Sequence, residues 1–366
     1  MVQARNLANL PFTFSHVALM PDSHEGFGMP IGGVLATNGV IIPNAVGVDI
    51  GCGMCALKTS LQDIDTPTLK KVMSGIRARI PLGFDHHKEA QDERLMPDQR
   101  RIIAGGIVEQ EYLSALTQIG TLGGGNHFIE VQRGSDGYIW LMVHSGSRNI
   151  GLKVAEQYNK IAIKMNEKWE KMVPKAWQLA FLPMDSKEAE IYMSEMRYCV
   201  DFALANRKLM IERIKAAFKE ILKVDFFDAG LINIAHNYAN VEKHFGAEVI
   251  VHRKGATSAR EGEVGIIPGS QGSKSYIVCG KGNPESFMSC SHGAGRVMSR
   301  HKAIKDLNLE EEIAKLDRLN IIHSVRSKRD LDEAPSAYRS IDLVMRNQTD
   351  LVDITLELTP LAVIKG

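Results

Sequence analysis

The chain has 366 residues, of which 44% are hydrophobic and 24% charged, as is ordinary for a globular protein with one large domain or two medium ones. Its net charge of +1 excludes a protein that coats nucleic acid through general basicity. No segment has the roughly 18–20 uninterrupted apolar residues of a membrane span, and the first residues lack signal-peptide features, so we expect a cytosolic protein. Five scattered cysteines predict free thiols rather than a disulfide framework.

The first half of the chain predicts strands, loops and two helices. Short apolar runs separated by glycine and polar turns predict strands and loops over the first 60 residues. Thr66 and Pro67 predict the start of a helix over 66–78, and the charged segment 84–104 predicts an exposed loop with some helix. After a glycine loop at 120–125 we expect short strands and then a helix over about 152–170.

The second half begins with a long predicted helix over about 186–222. Asp185 and Glu188 predict a capping box, and apolar residues then recur every three or four positions. The remaining elements are expected in this order: short strands and glycine turns over 230–290, then helices starting near Ala294, over 306–318 and over 340–348. Because helices and strands mix without a βαβ rhythm, we predict an α+β fold and no dinucleotide-binding fold.

A glycine-rich segment, AVGVDIGCGMCA at 45–56, predicts a metal site. It places Asp49 and Cys52 on a loop that favours neither helix nor strand. Four histidines stand beside glycine, serine or asparagine, namely His127, His144, His236 and His292. Together these groups supply donors for one or two divalent cations, and a thiolate can bridge two metals at ~3.5–4 Å. Thiolate and imidazole favour zinc, whereas the carboxylate admits manganese. The competing interpretation is a buried thiol beside a turn-forming aspartate.

Three short loops predict phosphate binding. HSGSR (144–148) and SHGAGR (291–296) each place small residues and an arginine beside a histidine, and both are predicted to lead into a helix. Helix N-termini bind phosphate, and Arg148 or Arg296 could clamp it through two hydrogen bonds. PGSQGSKS (268–275) offers amide and hydroxyl donors but lacks the P-loop spacing. Each loop alone is equally compatible with a tight turn.

One histidine differs from the others in its surroundings. From His252 to Lys305 the chain has nine Lys or Arg and three Glu, which predicts a segment that holds a polyanion. His292 lies in this segment, and a neutral imidazole is a competent nucleophile toward an activated phosphorus. The alternative is that His292 is one more metal ligand.

In their order, these motifs resemble the RtcB family of RNA-splicing ligases. The matching stretches run from about residue 11 to the C-terminus: VGVDIGCGMCA, GGGNHFIE, HSGSRNIG, AHNYA, HRKGA, IPGSQGSKS, SCSHGAGRVMSR, EAPSAYRSID and the closing IKG. Each motif is modestly specific and the ordered set is strongly so. The resemblance implies a single large α+β domain over 1–366 with a central metal and nucleotide cleft, without the N-terminal extension of many members.

The resemblance also implies the reaction. The family joins RNA ending in a 3′-phosphate or 2′,3′-cyclic phosphate to RNA with a 5′-hydroxyl, through a guanylylated histidine and an RNA-(3′)pp(5′)G intermediate. The implied partners are therefore these RNA ends and GTP, with two Mn²⁺ ions per active site. An activating protein partner is left open, and no membrane is implied.

Carried over by motif, the family's functional residues fall on the positions already singled out. Cys52 would bridge two Mn²⁺ ions, with Asp49 and His127 completing one site and His144 and His236 the other. His292 would take GMP as a phosphoramidate. The nucleotide pocket would use Asn126, Glu130, Asn237, Pro268, Gly269, Ser270, Gln271, Ser275, Gly293, Ala294, Gly295, Tyr338 and Lys365. RNA phosphates would be positioned by Arg148, Lys254 and Arg296.

The chain departs from the family pattern at two positions. Ala235 precedes His236 where a histidine is usual, and Ser23 stands where an apolar residue is common, while Asp22 and His24 are kept. Two other functions compete with the ligase. One is a metal-dependent phosphoesterase acting on RNA 2′,3′-cyclic phosphate ends, with His292 as ligand or acid. The other is a non-catalytic RNA-binding relative.

Overall fold

The central element of the fold is a seven-stranded sheet whose neighbouring strands are all antiparallel. The computed structural model describes residues 1–167 and 172–366. In spatial order the strands are β12 (Val264–Ile267), β13 (Ser275–Gly280), β15 (Val352–Lys365), β5 (Phe128–Gly134), β6 (Ile139–Ser145), β4 (Gly53–Lys58) and β8 (Ile232–Ala235).

A four-stranded antiparallel sheet supplies the other large β element. Its order is β1 (Thr13–His24), β2 (Ile31–Thr37), β10 (Ala247–Lys254) and β9 (Asn237–His244). Two short pairs complete the strands: β3 (Val40–Ile41) with β7 (Leu182–Pro183), and β11 (Ala256–Ser258) with β14 (Ser289–Ser291). The predicted short strands over 230–290 are confirmed.

Helices alternate with these strands irregularly along the chain. They are α1 (Val2–Ala8), α2 (Pro43–Val46), α3 (Thr66–Arg79), α4 (Ile107–Gln118), α5 (Arg148–Asn166), α6 (Lys187–Lys219), α7 (Arg300–Asp306), α8 (Leu309–Arg318) and α9 (Ile341–Arg346). Single 3₁₀ turns at Glu93–Leu95 and Gln99–Arg101 confirm a mostly irregular segment with some helix over 84–104. The predicted α+β class is confirmed. No helix in the described ranges is long and apolar enough to cross a membrane.

Local sequence explains where most helices begin. The Asp65 side chain accepts a hydrogen bond from the Thr68 amide, and α3 starts at the predicted residue with proline in its first turn. The long helix α6 also forms as predicted, but the capping box is wrong. Its N-cap is Ser186, whose hydroxyl accepts from the Ala189 amide.

Two other helix boundaries differ from the prediction. Helix α5 begins at Arg148, four residues early, and the last predicted positions, 168–170, lie outside the described residues. The helix predicted to start near Ala294 is wrong, because α7 begins only at Arg300 with Ser299 as its cap. Arg296 forms an isolated bridge with Tyr338, which keeps the preceding residues out of a helix. Of the two phosphate-binding loops predicted to enter helices, only 144–148 does so.

The central sheet buries both of its faces. Leu141 and Val143 of β6 belong to a core shared with α3 and α6, whereas the alternating Trp140 and Met142 belong to a core shared with α8. Each buried side chain of this size contributes about 1.5–3 kcal/mol relative to an exposed one. This packing fixes the strands, and it places Gly53 of β4 opposite both Ser145 of β6 and Ala235 of β8.

Candidate metal centre and nucleophilic histidine

One edge of the central sheet gathers the predicted metal ligands. Cys52 directly precedes β4, His127 precedes β5 and His236 follows β8, while His144 is the next-to-last residue of β6. In the sheet register, Gly53 pairs with Ser145 and with Ala235, so the residues beside them come together. Residues far apart in sequence therefore meet because antiparallel neighbours begin and end at the same edge.

The glycine loop before β4 is packed closely against α6. A Cβ atom at Gly51, whose φ is +75°, would lie 2.8 Å from Cα of Val200 on that helix. Glycine is required there, because no other residue allows both the positive φ and the close approach. The loop is thus held on the helix with Asp49 and Cys52 turned toward the histidines.

Five side chains form two groups of three possible metal donors that share one sulfur. The groups are Cys52 with His144 and His236, and Asp49 with Cys52 and His127, with donor atoms within 4.8 Å of one another in each group. The Cys52 Sγ atom lies 3.4 Å from Nε2 of His127 and 3.2 Å from Nε2 of His144. A thiolate shared between a pair of imidazoles and an imidazole–carboxylate pair fits two divalent cations.

Hydrogen bonds orient two of the imidazoles for coordination. Nδ1 of His127 lies 3.0 Å from the Leu122 carbonyl oxygen, and Nδ1 of His144 lies 3.0 Å from that of Asn126. Each Nδ1–H donates to its carbonyl, so Nε2 is the ring atom that faces the cluster. Burial lowers the pKa of His144 and of His236 well below the ordinary value, which keeps both rings neutral. Nδ1 of His236 is buried without a hydrogen-bond partner among the described residues.

The acidic donors differ in protonation. Desolvation opposes ionisation of Asp49, but the hydrogen bond with Nε2 of His127, 3.1 Å away, outweighs it and lowers the pKa of Asp49 to about 2. Burial, reinforced by Asp49, raises the pKa of the Cys52 thiol well above its ordinary value. A nearby divalent cation reverses this effect on a thiol. The donor set therefore fits a cation, and thiolate, imidazole and carboxylate together admit either zinc or manganese.

His292 lies next to this cluster and is held by a buried carboxylate. Its ring centroid is 4.9 Å from that of His236, which belongs to the metal group. Oδ2 of Asp22 is 2.6 Å from His292 Nδ1, and the same oxygen accepts hydrogen bonds from the amides of His292 and Gly293. Because Nδ1 is engaged, Nε2 is the nitrogen available for reaction.

Residues predicted for the nucleotide pocket lie on both sides of strand β15. Glu130 is buried and pairs with Val363 of that strand, two residues before Lys365. Burial raises the pKa of Glu130 to about 8, although the Lys365 charge opposes the shift. Gln132 donates to Glu130 over 2.6 Å and to Ser275 over 3.2 Å, and so connects β5 to the 268–275 loop. Polar side chains of β5 and β13 thus meet across β15.

Comparison with known proteins identifies the family of this chain. A family model described as tRNA-splicing ligase RtcB matches residues 3–112 and 105–366. The chain belongs to the RtcB family. The RNA-splicing ligase RtcB of Escherichia coli K12 is 39% identical, over 100% of this chain and 93% of that relative. The tRNA-splicing ligases RtcB of Nanoarchaeum equitans and Thermococcus kodakarensis are 33% and 32% identical over 100% of this chain and 91% and 90% of theirs.

The three arginine and lysine positions predicted to bind RNA in this RtcB chain are all hydrogen-bonded within the protein. Arg148 donates to Thr121 Oγ1 and to the Gly83 carbonyl. Arg296 donates to the carbonyls of Met298 and Asp332. The ammonium of Lys254 donates to two carbonyls, and burial lowers its pKa to about 8. Phosphate contact stays a prediction for each, and the contacts of Lys254 favour a role in joining loops.

Two RtcB residues that the sequence interpretation missed are buried charges at this centre. Glu333 accepts hydrogen bonds from the Tyr338 hydroxyl and from Nε of Arg300, and forms an ion pair with Arg296 over 3.1 Å. Burial opposes its ionisation, but the charges of Lys365, Arg296 and Arg300 outweigh this and lower the pKa of Glu333. The motif EAPSAYRSID contains Glu333, so its position was available as a signal.

The second missed RtcB residue is Arg207, which is fully buried in α6. Nη1 of Arg207 donates to the carbonyls of Gly51 and Ser145 over 2.9 and 2.8 Å. These are the neighbours of Cys52 and His144, so Arg207 fixes the two chain segments that carry both ligands. No spacing or motif predicted this role, because an arginine in a helical pattern is normally solvated.

Proposed function

We propose that this RtcB-family chain is a GTP- and Mn²⁺-dependent RNA ligase for RNA repair or tRNA splicing. It joins an RNA 3′-phosphate or 2′,3′-cyclic phosphate end to a 5′-hydroxyl end. Membership of the family supports the ligase class, and the printed names of the relatives support RNA and tRNA splicing as the process.

In this proposal the shared-sulfur cluster holds two Mn²⁺ ions. Asp49, Cys52 and His127 hold one, and Cys52, His144 and His236 hold the other, as the two donor groups suggest. The ions would neutralise charge on the phosphates that react nearby. Arg207 maintains the spacing of the donors through its bonds to Gly51 and Ser145.

The nucleophile in this proposal is Nε2 of His292. It attacks the α-phosphorus of GTP, the bond to the β-phosphate oxygen breaks, and pyrophosphate leaves. Asp22 holds Nδ1 and stabilises the positive charge that develops on the ring as the new P–N bond forms. An oxygen of the RNA 3′-phosphate then attacks the same phosphorus, and His292 departs with its lone pair restored.

Joining follows from the activated RNA end. The 5′-hydroxyl oxygen attacks the RNA 3′-phosphorus, GMP leaves, and the hydroxyl proton is lost to solvent or a nearby base. A 2′,3′-cyclic phosphate must first be opened by water to give a 3′-phosphate. Activation as an anhydride is needed because a phosphate monoester alone has a poor leaving group.

The nucleotide pocket in this proposal includes Glu130, Tyr338 and Lys365 on its base side and residues 268–275 and 293–295 on its phosphate side. A buried carboxyl beside a buried lysine suits the donor and acceptor edge of guanine. Asn237 accepts a hydrogen bond from the Gly255 amide and donates one to the Asp49 carbonyl. It therefore connects the loop that carries Asp49 with the residue between β10 and β11. Asn126 contributes the carbonyl that orients His144.

The single observation that carries the proposal is the position of His292. Its Nδ1 is bound by buried Asp22 while its ring lies 4.9 Å from His236 of the metal group. Among the described residues, neither metal-donor group includes His292. This separation from the ligands favours a nucleophile and speaks against the phosphoesterase in which His292 would be a ligand.

Labelling with GTP tests the proposal. Incubation with GTP labelled at the α-phosphate and Mn²⁺ should label the protein through an acid-labile, base-stable bond. His292→Ala should abolish the label, whereas His301→Ala, which alters an exposed histidine on α7, should keep it. Absence of label on the wild-type chain, together with turnover of cyclic phosphate without GTP, would reject the ligase in favour of a phosphoesterase.

A further inference from the structure

Two phenylalanines, on loops whose backbone contacts Arg148 and Lys254, expose their rings to solvent. Phe84 is 98% exposed and Phe27 is 72% exposed. Phenylalanine is normally buried, and single exposed apolar residues on a surface are common enough to need no function. What distinguishes these two residues is that their loops contact Arg148 and Lys254.

The loop that carries Phe84 accepts a hydrogen bond from the guanidinium group of Arg148. Nη2 of Arg148 donates to the carbonyl of Gly83, the residue before Phe84, over 3.3 Å. Nη1 of the same arginine lies 3.5 Å from Nδ1 of His127, a predicted metal ligand. Phe84 is therefore one residue away from a side chain that also reaches the Asp49 and Cys52 group.

This loop is fixed to the protein on both sides of the exposed ring. The Gly83 amide donates to the Gly123 carbonyl over 3.0 Å, and the His87 amide donates to the Thr117 carbonyl over 2.9 Å. Arg213 also donates to the ring of His87. The backbone that presents Phe84 is thus held in place, so the exposed ring is preorganised for contact with a ligand.

The loop that carries Phe27 is connected to His292 through Lys254 and Gly255. The ammonium of Lys254 donates to the Phe27 carbonyl over 2.6 Å. Lys254 is followed by Gly255, where a Cβ atom would lie 3.0 Å from Cε1 of His292. The loop that carries Phe27 is therefore hydrogen-bonded to Lys254, whose neighbour Gly255 packs against His292.

A smaller exposed apolar side chain is carried on a second loop that contacts Lys254. Val48 is 53% exposed and directly precedes Asp49. A Cβ atom at Gly47 would lie 3.3 Å from Cε of Lys254, so the loop that carries Val48 packs against the lysine stem. Phe27 and Val48 are thus both carried on loops that contact Lys254.

We propose that Phe27 and Phe84 stack on the terminal bases of the two RNA ends, one ring for each end, and so align the ends for joining. This inference rests on the proposed ligase function and specifies how that site holds its substrate. Aromatic rings recognise unpaired bases through their π-faces, largely independently of sequence. Stacking without sequence preference suits an enzyme that joins ends of varied sequence.

The test separates guanylylation from RNA joining. For the wild type, Phe27→Ala and Phe84→Ala, two rates are measured: labelling of the protein by GTP, and joining of two short RNA strands. Labelling should stay within twofold of wild type, because GTP does not contact either ring in the proposal. KM for the RNA ends should rise about 5- to 150-fold, the equivalent of about 1–3 kcal/mol for one stacked base.

Matched variants distinguish stacking from loss of an apolar group. Phe→Trp at either position should keep joining near wild type, whereas Phe→Leu should behave like alanine. Phe227→Ala serves as the aromatic control, because the Phe227 amide bonds the carbonyl of Lys58 at the end of β4 opposite the metal centre. This control should change neither rate.

Substrates without a terminal base identify which end each ring contacts. An abasic residue at one RNA end should slow joining by the wild type and remove the difference between the wild type and one of the two alanine variants. The inference is overturned if labelling is intact and both alanine variants join RNA normally, or if their defect persists unchanged with either abasic end. Failure of the wild type to become labelled would instead reject the proposed function itself.

Discussion

The Nδ1 atom of His292 lies 2.6 Å from Oδ2 of Asp22, although the two residues are 270 positions apart. The same oxygen accepts the amides of His292 and Gly293, so one carboxylate fixes both the ring and its backbone. A carboxylate in this position selects the tautomer whose Nε2 carries the lone pair, and it stabilises positive charge on the ring.

Replacing Asp22 by asparagine should therefore slow guanylylation without unfolding the protein. The neutral amide keeps the size of the side chain but no longer stabilises the imidazolium, and we expect a loss of about 10²- to 10⁴-fold in rate. Single-turnover labelling by GTP measures the rate, with metal content as the check on the neighbouring cluster. A rate within threefold of wild type would show that the carboxylate has no chemical role.

Replacing Cys52 by serine should remove the sulfur shared by the two metal groups. Because Cys52 belongs to both donor groups, the variant should retain fewer bound divalent ions than the wild type. Metal analysis after dialysis measures this directly. Cys279→Ser is the matched control, since that thiol is partly exposed and lies on β13. Equal metal content in the two variants would contradict the shared-sulfur arrangement.

Glu333→Gln should weaken GTP binding. The carboxylate is the common partner of Arg296, Arg300 and Tyr338, and its loss removes the negative charge that the two guanidinium groups share. We expect about a tenfold weaker affinity for GTP, measured by equilibrium binding, equivalent to about 1.4 kcal/mol.

Glu242→Gln provides the control for that measurement. Glu242 is also a buried carboxylate, and it is paired with Arg253 and Arg260 on the four-stranded sheet. Both variants should lose stability, because each removes the carboxylate partner of one largely buried arginine, Arg296 or Arg253. Only the Glu333 variant should lose affinity for GTP, and equal losses in both would point to a general structural effect.

His252 should make the protein less stable in mild acid. Burial lowers the pKa of His252 to about 4, and its Nε2 accepts a hydrogen bond from the Ile42 amide. As pH falls below about 6.5, His252 becomes protonated in the unfolded chain, whereas in the folded chain it stays neutral down to about pH 4. The free energy of unfolding therefore decreases between these two pH values. Between pH 7.5 and 5.5 this histidine should account for about 1.3 kcal/mol.

Urea unfolding of the wild type and His252→Gln at pH 7.5 and 5.5 measures that contribution. Glutamine keeps a hydrogen-bond acceptor but does not titrate, so the variant should lose about 1.3 kcal/mol less stability than the wild type on acidification. Identical pH dependence of the two proteins would contradict neutral burial of His252.

The sequence predicted the fold class correctly, and the five side chains predicted as metal ligands lie together in the structure, for a physical reason. Asp49, Cys52 and the histidines lie in glycine-rich motifs at strand ends, and such local motifs can be recognised without knowledge of the fold. The helix predicted near Ala294 was wrong because the pairing of Arg296 with Tyr338, 42 positions away, overrides local preference.

Charge partners could not be predicted from the chain. The basic segment from His252 to Lys305 suggested a polyanion site, yet Arg253 is fully buried and bonded to Glu242. Glu333 and Arg207 were missed for the same reason. The pairing of charged side chains depends on tertiary contacts, and these contacts cannot be read from a single sequence.

The separation of Asp22 from His292 along the chain also bears on how the protein matures. Long-range contacts of this kind form late, because the loop they close costs entropy before it is rewarded. A partly folded molecule would hold its histidine in a random tautomer, away from any carboxylate. If His292 is the nucleophile proposed above, its reaction with GTP would begin only after the native topology has formed.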